Sequence, residues 1–145
     1  IPPLLLTALF LILIWLCARF TGGDWTGGTL RWLALIPLIA GAMVALLGVV
    51  AFRRASTTVD PRYPENSVAL VTGGVYRLSR NPMYLGFLLW LLAGCLWSGN
   101  PFTLLLCPLF VLYMNRFQII PEEQQLQRHF GGPFQRYCQR VRRWL

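Results

Sequence analysis

The chain has 145 residues, 56% of them hydrophobic, with a mean hydropathy of +0.54 and a formal net charge of +8. All 13 basic residues are arginine. One soluble unit of this length has no use for so much apolar surface, and the apolar residues run in long blocks, so the positive excess points to a membrane surface and away from nucleic acid. Cys17, Cys95, Cys107 and Cys138 form no CxxC pair, and three lie inside apolar blocks. A disulfide framework and a zinc site are therefore not expected, and no metal ligand set is visible.

A membrane-crossing helix needs about 20 largely apolar residues. Four blocks approach that length: Pro3 to Phe20, Leu30 to Phe52, Met83 to Ser98, and Phe102 to Ile120. The first is long for a signal segment and lacks an A-x-A-like cleavage site, so it reads as mature structure. Thr21–Thr29 is a Gly-rich turn. Gly99-Asn100-Pro101 is tighter and makes blocks three and four a helical hairpin. The expectation is an all-α integral membrane bundle of about four transmembrane helices forming one domain over 1–145. Residues 1–52 supply two N-terminal spans, and 53–145 supply a long loop, the hairpin and a helical, arginine-rich tail that starts at Pro121.

Arginine placement sets the expected topology. Arg53, Arg54, Arg62, Arg77 and Arg80 lie in or beside the 53–82 connection, and Arg116, Arg128, Arg136, Arg140, Arg142 and Arg143 lie at the end of span four and in the tail. The other side carries only Arg19 and Arg31. By the positive-inside rule the termini, long loop and tail are cytoplasmic, and most of these arginines serve as anchors. In span two, Gly41, Ala45 and Gly48 form a small-residue face that lets helices approach closely.

Three constellations are candidates for chemistry. In Arg80-Asn81-Pro82-Met83-Tyr84, Pro82 suits the first position of a helix and Asn81 its N-cap. The free N–H groups there, with Arg80, would favour a carboxylate or phosphate. Glu122 and Glu123 form the chain's acidic pair at the membrane edge, suited to ribose hydroxyls or an ammonium group. Asn115, Arg116 and Gln118 put polarity near the end of an apolar span, where snorkelling competes with function. Phe130, Phe134 and Tyr137 are suited to packing the tail back against the helices. His129 has no evident partner and reads as structural.

The run Leu70 to Tyr76, then Arg80 to Gly86, then Glu122-Glu123, Phe130-Gly131 and Tyr137, resembles the isoprenylcysteine carboxyl methyltransferase family and is similar to the related phospholipid methyltransferases. The resemblance covers about Val68 to Leu145, and its ordered set of motifs is more specific than any one of them. It implies an S-adenosylmethionine-dependent methyltransferase embedded in the bilayer, releasing S-adenosylhomocysteine. Carried over, the cofactor residues are Val68, Ala69, Leu70, Val71, Tyr76, Asn81, Pro82, Met83, Tyr84, Glu122 and Glu123. Arg80, Tyr84 and Arg116 are the implied catalytic residues. Arg116, or by strict spacing Gln118, is the position implied to meet the substrate. Asn81 stands where the family usually has histidine; it can hydrogen-bond but cannot act as a base.

The leading expectation is thus methyl transfer to a lipophilic or membrane-bound small acceptor. Two alternatives carry other predictions. Membrane sterol reductases share a similar C-terminal hairpin and bind NADPH there, but have more helices than this length allows. A non-enzymatic transporter or scaffold, dimerising through Gly41, Ala45 and Gly48, would need neither Tyr84 nor Glu122.

Overall fold

The computed structural model of the protein describes residues 1–57 and 70–145. Val68, Ala69 and Arg62 lie outside them. The described residues form helices joined by turns: α1 (Pro3–Phe20), α2 (Leu35–Thr57), α3 (Pro82–Ser98), α4 (Leu106–Met114), α5 (Ile120–Phe130) and α6 (Gly132–Arg140). Three continuous helical stretches, Pro3–Phe20, Trp32–Ala55 and Pro101–Phe130, are long and apolar enough to cross a membrane. The apolar α3 has 17 residues, about 25 Å at 1.5 Å per residue, against an apolar layer of about 30 Å.

Helices that face lipid leave apolar side chains uncovered, and these do. Leu4, Leu5, Ile12 and Leu13 of α1 and Ile36, Ile39 and Leu46 of α2 are exposed. The inward faces meet at one core. Leu6 and Ile14 of α1, Leu91 and Cys95 of α3, and Phe110 and Met114 of α4 are buried together with Ile119. Phe10 meets Phe110 edge-on at 5.4 Å between ring centroids, a favoured aromatic geometry.

The closest helix contact is between α2 and α3. A Cβ on Gly86 would lie 2.7 Å from the Gly41 carbonyl oxygen and 2.9 Å from the Ala45 Cβ; one on Gly48 would lie 3.1 Å from Pro82. The small-residue face of α2 is therefore occupied by α3 of the same chain. This is the close helix packing expected of those small residues, made within the chain.

The turns at the opposite end are tied by one side chain. Gly99 ends α3 with φ +63°, a conformation that favours glycine. Asn100, buried beside it, donates from Nδ2 to the Thr21 hydroxyl and to the Gly23 carbonyl, each at 2.8 Å. Its Oδ1 accepts from the Phe102 N–H at 3.0 Å. The loop after α1 and the hairpin turn are thus held together.

Two expectations about boundaries are corrected. The second helix begins at Leu35, after a 3-10 turn at Trp32–Ala34, and runs to Thr57. The tail does not start afresh at Pro121. A π-turn at Asn115–Ile119 carries α4 into α5, with the Ile120 N–H bonded to the Asn115 carbonyl five residues back. Proline has no N–H to give to an α-helical ladder. One wider turn just before it re-routes the bonds, so the helix continues and lifts Glu122 and Glu123 onto a continuous element.

Candidate active site

The π-turn matters because of where it aims the next helix. Ile119, Glu122, Glu123 and Leu126 lie at i, i+3, i+4 and i+7, one face of a helix, and all four line a single cavity of about 310 Å³. The other walls come from separate stretches: Phe52 of α2, Leu70, Val71 and Tyr76 of the loop, Arg80 to Tyr84 at the start of α3, and Phe134 and Tyr137 of α6. The volume lies at the small end of ordinary ligand pockets.

The two glutamates have different surroundings. Glu122 Oε1 accepts from the Tyr84 hydroxyl at 2.7 Å and from Gln118 Nε2. Both donors are neutral, and among the described residues no arginine pairs with Glu122. Glu123 sits between two arginines, 2.9 Å from Arg80 Nη1 and 2.6 Å from Arg143 Nη2. Arg80 Nη1 also lies 2.7 Å from Cys138 Sγ. The Arg80 Nε–H is buried and has no partner. A buried donor left unpaired costs about 1–3 kcal/mol.

The mouth of α3 differs from expectation in one respect. Pro82 is its first residue, but Asn81 makes no capping bond. Its Nδ2 donates instead to the Arg143 carbonyl at 3.0 Å, because the C-terminal residues come back to this point. The Arg80 N–H bonds to the Arg142 carbonyl at 3.0 Å, and Trp144 Nε1 reaches Asn115 Oδ1 at 2.9 Å. The first turn of α3 therefore keeps its N–H groups free of a side-chain cap, with Pro82, Met83 and Tyr84 in the cavity wall.

The tail closes the remaining side. Phe134, Tyr137 and Val141 are buried against Leu70, Tyr76, Leu126 and Phe130. The Tyr137 hydroxyl donates to the Tyr76 carbonyl at 2.7 Å. Burial, and then the Glu122 carboxylate, push the Tyr76 phenol above its ordinary value. Burial and then Tyr76 do the same to Tyr137. Both phenols stay neutral over the physiological range; both line the cavity, and Tyr137 is a donor.

Most of the residues picked out in the sequence meet here: Leu70, Val71, Tyr76, Arg80, Asn81, Pro82, Met83, Tyr84, Glu122 and Glu123. Arg116 does not. It is exposed, with its guanidinium 5.5 Å from the Phe117 ring centre, and forms no part of the cavity wall. The side chain that reaches Tyr84 and Glu122 from this stretch is Gln118. Phe52, Leu126 and Phe134 line the cavity without having been singled out as site residues. Leu126 was legible from its i+4 spacing to Glu122; Phe52 had no comparable signal. Among the described residues no group of three His, Cys, Asp or Glu side chains is placed to hold a metal.

Several known proteins have similar sequences. The family description "Phospholipid methyltransferase" matches residues 29–132. An "Uncharacterized protein" of Haemophilus influenzae is 51% identical over 63 residues, 43% of this chain and all of that protein. A "Probable protein-S-isoprenylcysteine O-methyltransferase" of Oryza sativa subsp. indica is 34% identical over 113 residues, 76% of this chain and 58% of that protein. "Protein-S-isoprenylcysteine O-methyltransferase A" of Arabidopsis thaliana is 34% identical over 110 residues, 74% of this chain and 54% of that protein. The chain thus spans a little over half the length of these two plant relatives. No solved structure matches it at a significant level.

Proposed function

Because the chain belongs to the phospholipid methyltransferase family, we propose that it moves a methyl group from S-adenosylmethionine to a lipophilic, membrane-resident acceptor. The observation that carries this reading is the convergence of three separated stretches on one cavity: the loop at 70–76, the start of α3, and the Glu122 face of α5. The cavity's chemistry fits the donor. Arg80 puts a positive charge in the cavity wall, which suits a carboxylate. A Glu122 carboxylate held only by neutral donors suits ribose hydroxyls or an ammonium group. Tyr76, Phe134 and Leu126 supply flat and aliphatic surface for a base.

S-adenosylmethionine, held by these residues, would supply a sulfonium methyl group open to in-line displacement by the acceptor's nucleophile, with S-adenosylhomocysteine as the leaving group. The protein's part is to hold and align. Glu123 holds the Arg80 guanidinium from one side through Nη1. Tyr84 and Gln118 fix Glu122. Phe52 and Met83 keep the α2–α3 side apolar, where an acceptor's chain can enter from lipid and where water is excluded from the nucleophile. Alignment of this kind contributes about 7–11 kcal/mol, which suits a site whose Asn81 cannot act as a base.

The reading extends to orientation. Arg53, Arg54, Arg77, Arg80 and the arginines of the tail lie at the end of the bundle that holds the cavity, whereas Arg19 and Arg31 lie near the opposite turns. By the positive-inside rule that end faces the cytoplasm, where a soluble donor is available. Calorimetric titration of detergent-purified protein with S-adenosylhomocysteine tests the site. Saturable binding at one site is expected; absence of heat up to millimolar ligand would rule the reading out.

A further inference from the structure

A second depression lies against the outer side of α6. Its walls are Leu70 and Thr72 of the loop, Pro133, and the side chains of Arg136, Gln139 and Arg140. Arg136 and Arg140 stand at i and i+4, so their guanidinium groups share a face. The helix cannot roll to turn that face away, because Phe134, Tyr137 and Val141 are buried on the other one and the Tyr137 hydroxyl is bonded to Tyr76. Among the described residues neither arginine has an acidic partner. Asp24 pairs with Arg31 near the far turns, Glu123 is taken by Arg80 and Arg143, and Glu122 by Tyr84 and Gln118.

We propose that this depression binds the phosphate of an anionic phospholipid. Two guanidinium groups present planar, forked donors that match phosphate oxygens. The Thr72 hydroxyl and Gln139 amide add neutral donors, and Leu70 offers apolar surface for the first carbons of the lipid. A Cβ on Gly74 would lie 3.2 Å from the Ala51 Cβ, so the chain two residues after Thr72 packs on α2 close to Arg53 and Arg54, the arginine-bearing end of that span. A soluble anion would gain nothing from Leu70, so the lipid is the occupant. Leu70 also lines the inner cavity; the bound lipid therefore sits beside the active site without entering it, and its binding does not depend on methyl transfer.

The test is native mass spectrometry of the detergent-purified full chain given phosphatidylglycerol or phosphatidylcholine in equal amount. Wild type retains phosphatidylglycerol in preference. R136Q/R140Q loses about a hundredfold in affinity for it, from about 1.5 kcal/mol for each charge-assisted hydrogen bond to the phosphate. R128Q/R142Q removes the same charge from exposed positions elsewhere in the tail and leaves retention unchanged. Equal losses in the two double variants would overturn the proposal in favour of diffuse charge. Displacement of phosphatidylglycerol by millimolar inorganic phosphate would overturn the lipid as occupant. R136K/R140K, which keeps charge but not the fork, separates the two contributions and should fall between wild type and R136Q/R140Q.

Discussion

The Tyr84 hydroxyl donates to Glu122 Oε1 at 2.7 Å, joining the first turn of α3 to the first turn of α5 across 38 residues of sequence. This bond orients the one cavity carboxylate that no arginine of the described residues neutralises. Tyr84→Phe keeps the ring and removes the bond. A hydrogen bond to a charged group contributes about 1.5–3 kcal/mol, so S-adenosylhomocysteine should bind at least about tenfold more weakly. The melting temperature should change little, since Gln118 still holds Glu122. Calorimetry and a thermal melt on the same preparation separate the two effects.

Glu123 has the opposite character: it is a structural anion. Substituting Glu123→Gln leaves Arg80 and Arg143 without their shared carboxylate. Their side chains are 15% and 32% exposed, between the buried and surface regimes, and the expected cost is about 1–3 kcal/mol. The loss should appear as earlier release of the C-terminal residues, read by limited proteolysis after Arg140, before the bundle itself melts. Simultaneous melting would show that the tail and the bundle are one cooperative unit.

Much of this was legible from the residues and part was not. The first and third helices were readable because apolar blocks bounded by Pro or Gly leave little freedom in where a helix stops. The meeting of Tyr76, Arg80 to Tyr84 and Glu122 was readable only through a resemblance in motif order, since no local pattern links positions that far apart. Asn81 looked like a cap because it precedes Pro82; its side chain instead follows the Arg143 carbonyl, 62 residues away. Arg116 looked functional because a charge in an apolar span is costly. The π-turn changes the register at that point, and Gln118 faces the site while Arg116 stays outside. A register change of this kind comes from Pro121 and its missing N–H, whose effect on neighbouring side-chain directions is not visible in residue spacing.

The α2–α3 contact makes a sharp prediction about glycine. Gly86→Ala forces a methyl group to within 2.7 Å of the Gly41 carbonyl oxygen, which separates the helices. Overpacking of this kind costs about 1–3 kcal/mol, measured as a lower melting temperature in detergent. Gly73→Ala is the control, because a Cβ there meets nothing within 4 Å and its φ of −92° is ordinary for any residue.

The docked tail should be sensitive to alkali. Burial raises the phenols of Tyr76 and Tyr137 above the ordinary value of 10.0. A raised folded value means the contribution to stability is complete below pH 10 and is lost as pH rises through that folded value, because the unfolded chain releases its protons first. Stability followed by thermal melts from pH 8 upward should be flat to about pH 10 and then fall. Tyr137→Phe should remove part of that fall; an identical alkaline slope in the variant would show that other groups cause it.

The most direct test of the account is transfer itself. Purified protein in bilayers of its host's lipids is given S-adenosylmethionine labelled in the methyl group, and the label is followed into the organic-solvent extract. Label is expected in that extract with wild type, and none above background with Glu122→Ala. Label that appears equally with Glu122→Ala, or binding of S-adenosylhomocysteine without any label entering the lipid-soluble fraction, would contradict it.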